Sequence, residues 1–197
     1  MLFHDIGKRK KLIRGFPKAL QDDVLAALKA IPQKAYTPRD MTEDMIVYTL
    51  SSGEIQFPYR VYFYEPPAKE MYSLTAQQRM ILHCVYSRSH DGYMREKHIT
   101  ALLSADFPEW VIPYIVKACD EYVADILQVV YVKLKGKNTA QIKQFCADNY
   151  ASFCRSYSRM ISYWNVYYRH DCRFEDYIGR KLFIECFGAE RTMKCSK

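Results

Sequence analysis

Residues 90–98 read His-Asp-Gly-Tyr-Met-Arg-Glu-Lys-His, with His83 and Cys84 just upstream. Such residues bind metals, move protons or build nucleophilic dyads, and spacing decides among these uses. Neighbours on a helix point about 100° apart, so His83 and Cys84 do not meet on one ion. His83 shares a face with Arg79 rather than with Ile81, which predicts a solvent-facing ring. His90 and His98 stand eight apart across a turn and match no zinc-ligand spacing. No metal and no cofactor is therefore expected. Cys84 as a nucleophile needs a base within hydrogen-bond reach and a third group to orient that base. Its place on the apolar face of its helix predicts a buried, inert thiol instead.

The segment reads best as a turn between two helices. Asp91 caps the second helix, Gly92 supplies a backbone conformation that a side chain resists, and Arg95 and Lys97 are left for ion pairs. His98, on a face with Met94 and Leu102, reads as a partly buried core histidine. Were the segment a site, His90, Asp91, Arg95 and Glu121 would converge. Glu121 and Asp125 lie one helical turn apart, a spacing suited to a cation or to acid–base work. Pairing with Arg79, Arg88 or Arg95 is the preferred reading of those carboxylates. No phosphate-cradling, dinucleotide, zincin or serine-hydrolase motif occurs, and seven glycines leave little material for a phosphate loop.

Nucleic acid is the stronger temptation. Residues 74–105 resemble the opening of a helix-turn-helix, but the element that follows, Trp110 to Leu127, offers apolar residues in place of base-edge readers, with Asp120, Glu121 and Asp125 that would meet phosphates with the wrong sign. Sequence-specific DNA reading is disfavoured. Residues 155–174 interleave aromatic and basic side chains, with Arg155, Arg159, Ser162, Tyr163, Tyr167 and Arg169 expected outward. Two further stretches are basic without an acid. Ile6 to Gln21 contributes Lys8, Arg9, Lys10, Lys11 and Arg14, and Ile126 to Ala147 contributes Lys133, Lys135 and Lys137. All eight are candidate contacts for a polyanion, against the plainer reading of solvated charge. Seventeen tyrosines suit a protein interface, and Arg60, Tyr62 and Tyr64, on the outward side of a strand, form a candidate partner surface.

These residues need a scaffold, and 197 residues with 49% hydrophobic content suffice for a substantial core. The net charge is +7. Seven cysteines without a C-x-x-C pair suggest reduced thiols, and the basic N-terminus has no apolar signal region behind it, so a cytoplasmic location is expected. No stretch is long and uncharged enough for a membrane span.

Residues 1–15 read as a basic tail. Within 16–72 the pattern predicts a helix from Phe16 to Ile31 and a hairpin of Met45 to Leu50 with Ile55 to Tyr64, joined by Ser51 to Glu54. Residues 73–190 read as a helical core, and 16–190 as one domain. Its helices are expected from Ser73 or Thr75 to Arg88, Tyr93 to Ser104, Pro108 to Val132, Thr139 to His170 and Arg173 to Phe187. The fold class is mainly α (α+β), with five or six helices and one two-stranded antiparallel hairpin. The function expected is a non-enzymatic, protein-binding or regulatory helical module, with nonspecific nucleic-acid binding as the alternative and an enzyme without a recognisable motif third.

Overall fold

A computed structural model describes residues 10–33 and 40–190. Lys8 and Arg9 lie outside the described residues. The fold is mainly helical with one two-stranded antiparallel sheet, as the pattern predicts, although it has more and shorter helices. The chain divides into two compact units, residues 1–98 and 99–197.

In the first unit residues 10–13 are helical, and a 3-10 turn at Lys18–Leu20 leads into α1 (Gln21–Lys29). Val24, Ala27 and Leu28 form the buried face of α1, while Leu25 is exposed rather than core. The hairpin pairs β1 (Met45–Leu50) with β2 (Gly53–Pro58) in a register running from Met45 opposite Pro58 to Leu50 opposite Gly53. The turn is thus Ser51-Ser52, shorter than the four residues expected, because Gly53 adopts φ +116° and lets the ladder close at once. β2 ends at Pro58 rather than at Tyr64, since proline has no amide to donate. Beyond it the alternation persists without a regular ladder: Val61 and Phe63 stay buried, the Val61 amide donates to the Arg88 carbonyl at 2.9 Å, and the His90 amide donates to the Val61 carbonyl at 3.0 Å.

A short helix that the sequence reading missed, α2 (Ala68–Ser73), follows Pro67. Then comes α3 (Ala76–Tyr86), opened by a capping box in which the Thr75 hydroxyl accepts from the Gln78 amide at 3.2 Å and the Gln78 side chain accepts from the Thr75 amide at 3.1 Å. α1 packs on α3, and Asp23 accepts from Gln77 and Gln78 at that contact. Helix α4 (Gly92–Leu102) completes the sequence of elements, the unit boundary falling inside it.

In the second unit two long helices expected from periodicity are broken. Pro108 to Val132 becomes a 3-10 turn at Glu109–Val111, α5 (Ile112–Ala118) and α6 (Ala124–Leu134), with residues 119–123 between them. Pro113 sits in the first turn of α5, where its missing amide costs nothing. The break coincides with two buried acids, Asp120 and Glu121, and ends at Val123 in an extended conformation. Thr139 to His170 becomes α7 (Ala140–Asp148) and α8 (Tyr150–Tyr163), continued by a π-helical segment at Trp164–Tyr168. Asn149 makes the interruption: its side-chain amide donates to the Phe145 carbonyl at 3.0 Å, competing with the helical ladder, and its backbone leaves the α region.

A 3-10 turn at Phe174–Asp176 precedes α9 (Ile178–Glu185), and Gly188 at φ +84° closes that helix. α9 packs on α6, where the Tyr131 hydroxyl donates to Glu185 at 2.8 Å. Phe183, fully buried, lies 5.6 Å from the Phe153 ring, 5.5 Å from Tyr157 and 5.3 Å from Phe187. Burial of each such ring stabilises by about 1.5–3 kcal/mol, so this ring cluster anchors α8 to α9.

Candidate functional site

His90 and Asp91 form the turn before α4, and residues 92–98 are the start of that helix. Asp91 Oδ1 accepts from the amides of Tyr93 at 2.8 Å and Met94 at 3.3 Å, the expected N-cap. Gly92 does not take a positive φ, so its expected special conformation is absent and it simply begins α4. Arg95 is not spread on the surface for ion pairing. It is 2% exposed and its Nη1 donates to the carbonyls of Ser89 and His90 at 3.0 and 2.9 Å, closing the end of the preceding turn. His90 is exposed and stacks its ring 5.3 Å from Tyr62. Glu121 belongs to the second unit. It is buried in the break between α5 and α6 while Asp125 is exposed on α6, so the two acids do not share one helical face.

The chemistry nearby belongs to a group that spacing did not suggest. His83 on α3 and His98 on α4, fifteen positions apart, bring their Nδ1 atoms to 2.8 Å. One Nδ1 must carry a proton and the other a lone pair. His98 is wholly buried between this contact and the Tyr86 ring, 5.0 Å away, and its Nε2 lies 3.3 Å from a carboxylate oxygen of Glu65. Glu65 also holds Lys97 at 2.6 Å. The carboxylate favours Nε2–H on His98, which leaves His98 Nδ1 to accept and His83 Nδ1 to donate. Burial, then the neighbouring His83, holds the pKa of His98 down to about 3; burial, then the Arg79 charge, lowers that of His83. Both rings are consequently neutral at neutral pH. His83 is half-buried against His98, a correction to the solvent-facing ring expected from its place beside Arg79.

Cys84 is fully buried, and burial pushes its thiol pKa well up, which suits an inert thiol and not a nucleophile. Among the described residues no group of three or more His, Cys, Asp or Glu is placed to hold a metal ion. A buried polar knot lies inside the second unit: Asp120 accepts from Lys117 Nζ and from the Ser156 hydroxyl at 3.1 Å, with Arg159 Nε 3.9 Å away. Buried charges need such partners. The arrangement ties the break after α5 to α8.

Arg159 leads from that knot to the surface, where its Nη2 donates to the Tyr163 hydroxyl at 3.1 Å. There three tyrosines from two stretches of chain form a contiguous face. The Tyr122 ring lies 6.1 Å from Tyr163 and 5.8 Å from Tyr167, and Tyr163 lies 6.2 Å from Tyr167. Tyr122 is 51% exposed, Tyr167 55% and Val166 65%. The Tyr168 hydroxyl donates to the Tyr122 carbonyl at 2.6 Å and pins the break against the π-helical segment. Of the residues expected outward in 155–174, Arg155, Ser162, Tyr167 and Arg169 are exposed, while Tyr163 and Arg159 are half-buried. Helical periodicity from Thr139 to His170 predicts a core stripe of Ile142, Cys146, Tyr150, Phe153, Tyr157, Ile161, Trp164 and Tyr168; of these Tyr150 is exposed, Ile161, Trp164 and Tyr168 are half-buried, and Met160 takes a buried place next to Ile161. Tyr122 was not foreseen in this face, because only the break at 119–123 turns it outward.

The remaining candidates are scattered. Lys10, Lys11 and Arg14 are exposed, and Arg14 and Lys18 border a groove of about 320 Å³ with Phe16 and, from the hairpin, Glu54 and Gln56. Lys135 and Lys137 are exposed beside Gly136, Lys133 is half-buried, and Lys135 Nζ lies 5.3 Å from the Tyr131 ring centre. Arg60, Tyr62 and Tyr64 are half-buried and engaged within the first unit. Arg60 lies over the Tyr59 ring at 4.4 Å, Tyr62 meets His90, and the Tyr64 carbonyl accepts from the Tyr86 hydroxyl at 2.7 Å.

No helix among the described residues is long and apolar enough to cross a membrane. Comparison with protein families, with curated proteins and with solved structures finds no match to this chain.

Proposed function

We propose that the protein is a non-enzymatic, cytoplasmic interaction module that holds a macromolecular partner on the face formed by Tyr122, Tyr163 and Tyr167. The observation that carries this reading is that two exposed tyrosine rings, Tyr122 and Tyr167, meet half-buried Tyr163 in one continuous patch, where singly scattered rings need no explanation. Tyrosine and arginine are the side chains that concentrate binding energy at interfaces, and Arg159 borders the patch, bonded to Tyr163. A π-helical turn, a local feature that recurs at functional sites, displays Val166 and Tyr167.

The test compares the intact protein with a Tyr122→Ala, Tyr167→Ala variant as bait in cell lysate at low and high salt. Absorbance at 260 nm and the co-eluting polypeptides are both read. Retention of a specific partner by the intact protein and its loss from the equally folded variant supports the reading. Equal retention by both removes the tyrosine face from the account.

A further inference from the structure

We infer that the partner of the tyrosine face is an unpaired nucleic-acid strand, whose bases stack on Tyr122 and Tyr167 while arginines of α8 and the turn after it meet its phosphates. The inference rests on the interaction face proposed above and names its occupant.

Charge argues first. From Tyr150 to Arg169 the chain carries Arg155, Arg159 and Arg169 and no acid, so the helix that displays Tyr163 and Tyr167 offers cations alone, and the two acids close enough to act on Tyr168, Asp125 and Asp171, lie outside it. Arg155 and Arg169 are exposed. A protein interface of ordinary composition mixes signs at its rim, whereas a strand of phosphates is matched by one sign. The rings argue next. Tyr122 and Tyr167 are each more than half exposed, come from separate stretches of chain and are tilted 42° to each other with centres 5.8 Å apart. Two rings that are open to solvent and fixed in place offer stacking surface to bases of any sequence, because every base has a π-face. The support beneath them is rigid: Tyr168 holds the Tyr122 backbone, and Arg159 spans from buried Asp120 to Tyr163. Nothing in the face presents a row of base-edge readers, so the binding expected is sequence-tolerant and selective for single strands. A duplex hides its base faces and would meet only the arginines.

The direct test is fluorescence anisotropy of a labelled oligouridylate of about 12 nucleotides, a length within the span of known single-strand sites, with a duplex of equal length as control. Tight binding to the single strand and weaker binding to the duplex is expected. About two phosphate contacts, from Arg155 and Arg169, predict a roughly 7-fold loss of affinity when salt rises from about 50 to about 200 mM. Tyr122→Ala with Tyr167→Ala should weaken binding by at least about 5-fold, and Tyr167→Phe, which keeps the ring, should preserve it. Arg155→Gln with Arg169→Gln should flatten the salt dependence. Equal affinity for duplex and single strand, or indifference to the tyrosine substitutions, overturns the inference. Should the oligonucleotide fail to bind while the double tyrosine variant still loses a polypeptide partner in lysate, the nucleic-acid assignment falls and the interaction face stands.

Discussion

Acidification should loosen the first unit through His98. In the folded protein this ring is wholly buried and its pKa is held down to about 3, first by burial and then by the adjacent His83. In the unfolded chain it returns to an ordinary value near 6.5. The unfolded chain therefore takes up the proton first. Stability contributed by the neutral ring is complete above about pH 6.5 and drains away as the pH falls toward about 3. From pH 8 to pH 5 the unfolded state gains about 2 kcal/mol from this one site, the free energy of protonating a group 1.5 pH units below its ordinary pKa. For a unit of this size that corresponds to a fall in melting temperature of about 8–16 °C. His83, also lowered, acts in the same direction.

Both tryptophans, Trp110 and Trp164, lie in the second unit, so indole fluorescence does not report on His98. Amide hydrogen exchange in α3 and in the loop amides of Val61 and His90 does, with far-UV circular dichroism for the whole chain. His98→Gln removes this titration while keeping a group that can donate and accept, and its stability should fall by about 2 kcal/mol less than the parent's from pH 8 to pH 5, the remaining slope coming from His83. Parallel slopes in the parent and the variant would refute the reasoning.

Gly179 lies on α9, and a Cβ added there would sit 2.6 Å from the Tyr177 ring and 2.9 Å from Met160 Cγ. Gly179→Ala should therefore destabilise the second unit by about 1–3 kcal/mol despite alanine's better helix propensity, read by urea unfolding with Trp164 fluorescence. Thr75→Ala breaks the capping box of α3 and should cost about 1 kcal/mol; an unchanged urea midpoint would show the cap to be idle. Cys84 and Cys119 are fully buried with pKa values raised by that burial, whereas Cys154 and Cys172 are partly exposed. A thiol-reactive dye should label the latter pair in the native protein and reach the former only on unfolding, as mass spectrometry of the labelled peptides would show.

What could be read from the sequence was local. Thr75 and Asp91 announce helix starts because a cap is made within three residues. Alternation along the second strand puts Ile55, Phe57, Tyr59, Val61 and Phe63 on one side, and four of them are buried even where the ladder has ended, while Tyr59 is half-buried. Periodicity overran the breaks because it counts apolar faces and does not register a side chain competing for a backbone bond, as Asn149 does, or acids buried for ion pairing, as at Asp120.

The site was less legible for the same reason. The meeting of His83 and His98 depends on how α3 and α4 pack, and no spacing of two histidines fifteen apart encodes it. Arginines 155 and 169 and Tyr167 were marked by composition, but Tyr122 joins them only because residues 119–123 leave the helix.

The most direct measurement of the central claim is a site-resolved titration: aromatic carbon–proton spectra of the tyrosine-labelled protein as unlabelled oligouridylate is added. The account predicts that resonances of Tyr122, Tyr163 and Tyr167 shift first and saturate together, and that the exposed ring of Tyr150, at the opposite end of α8, remains still. Shifts centred instead on other tyrosines, or no shift in the three tyrosines at saturating oligonucleotide, would contradict it.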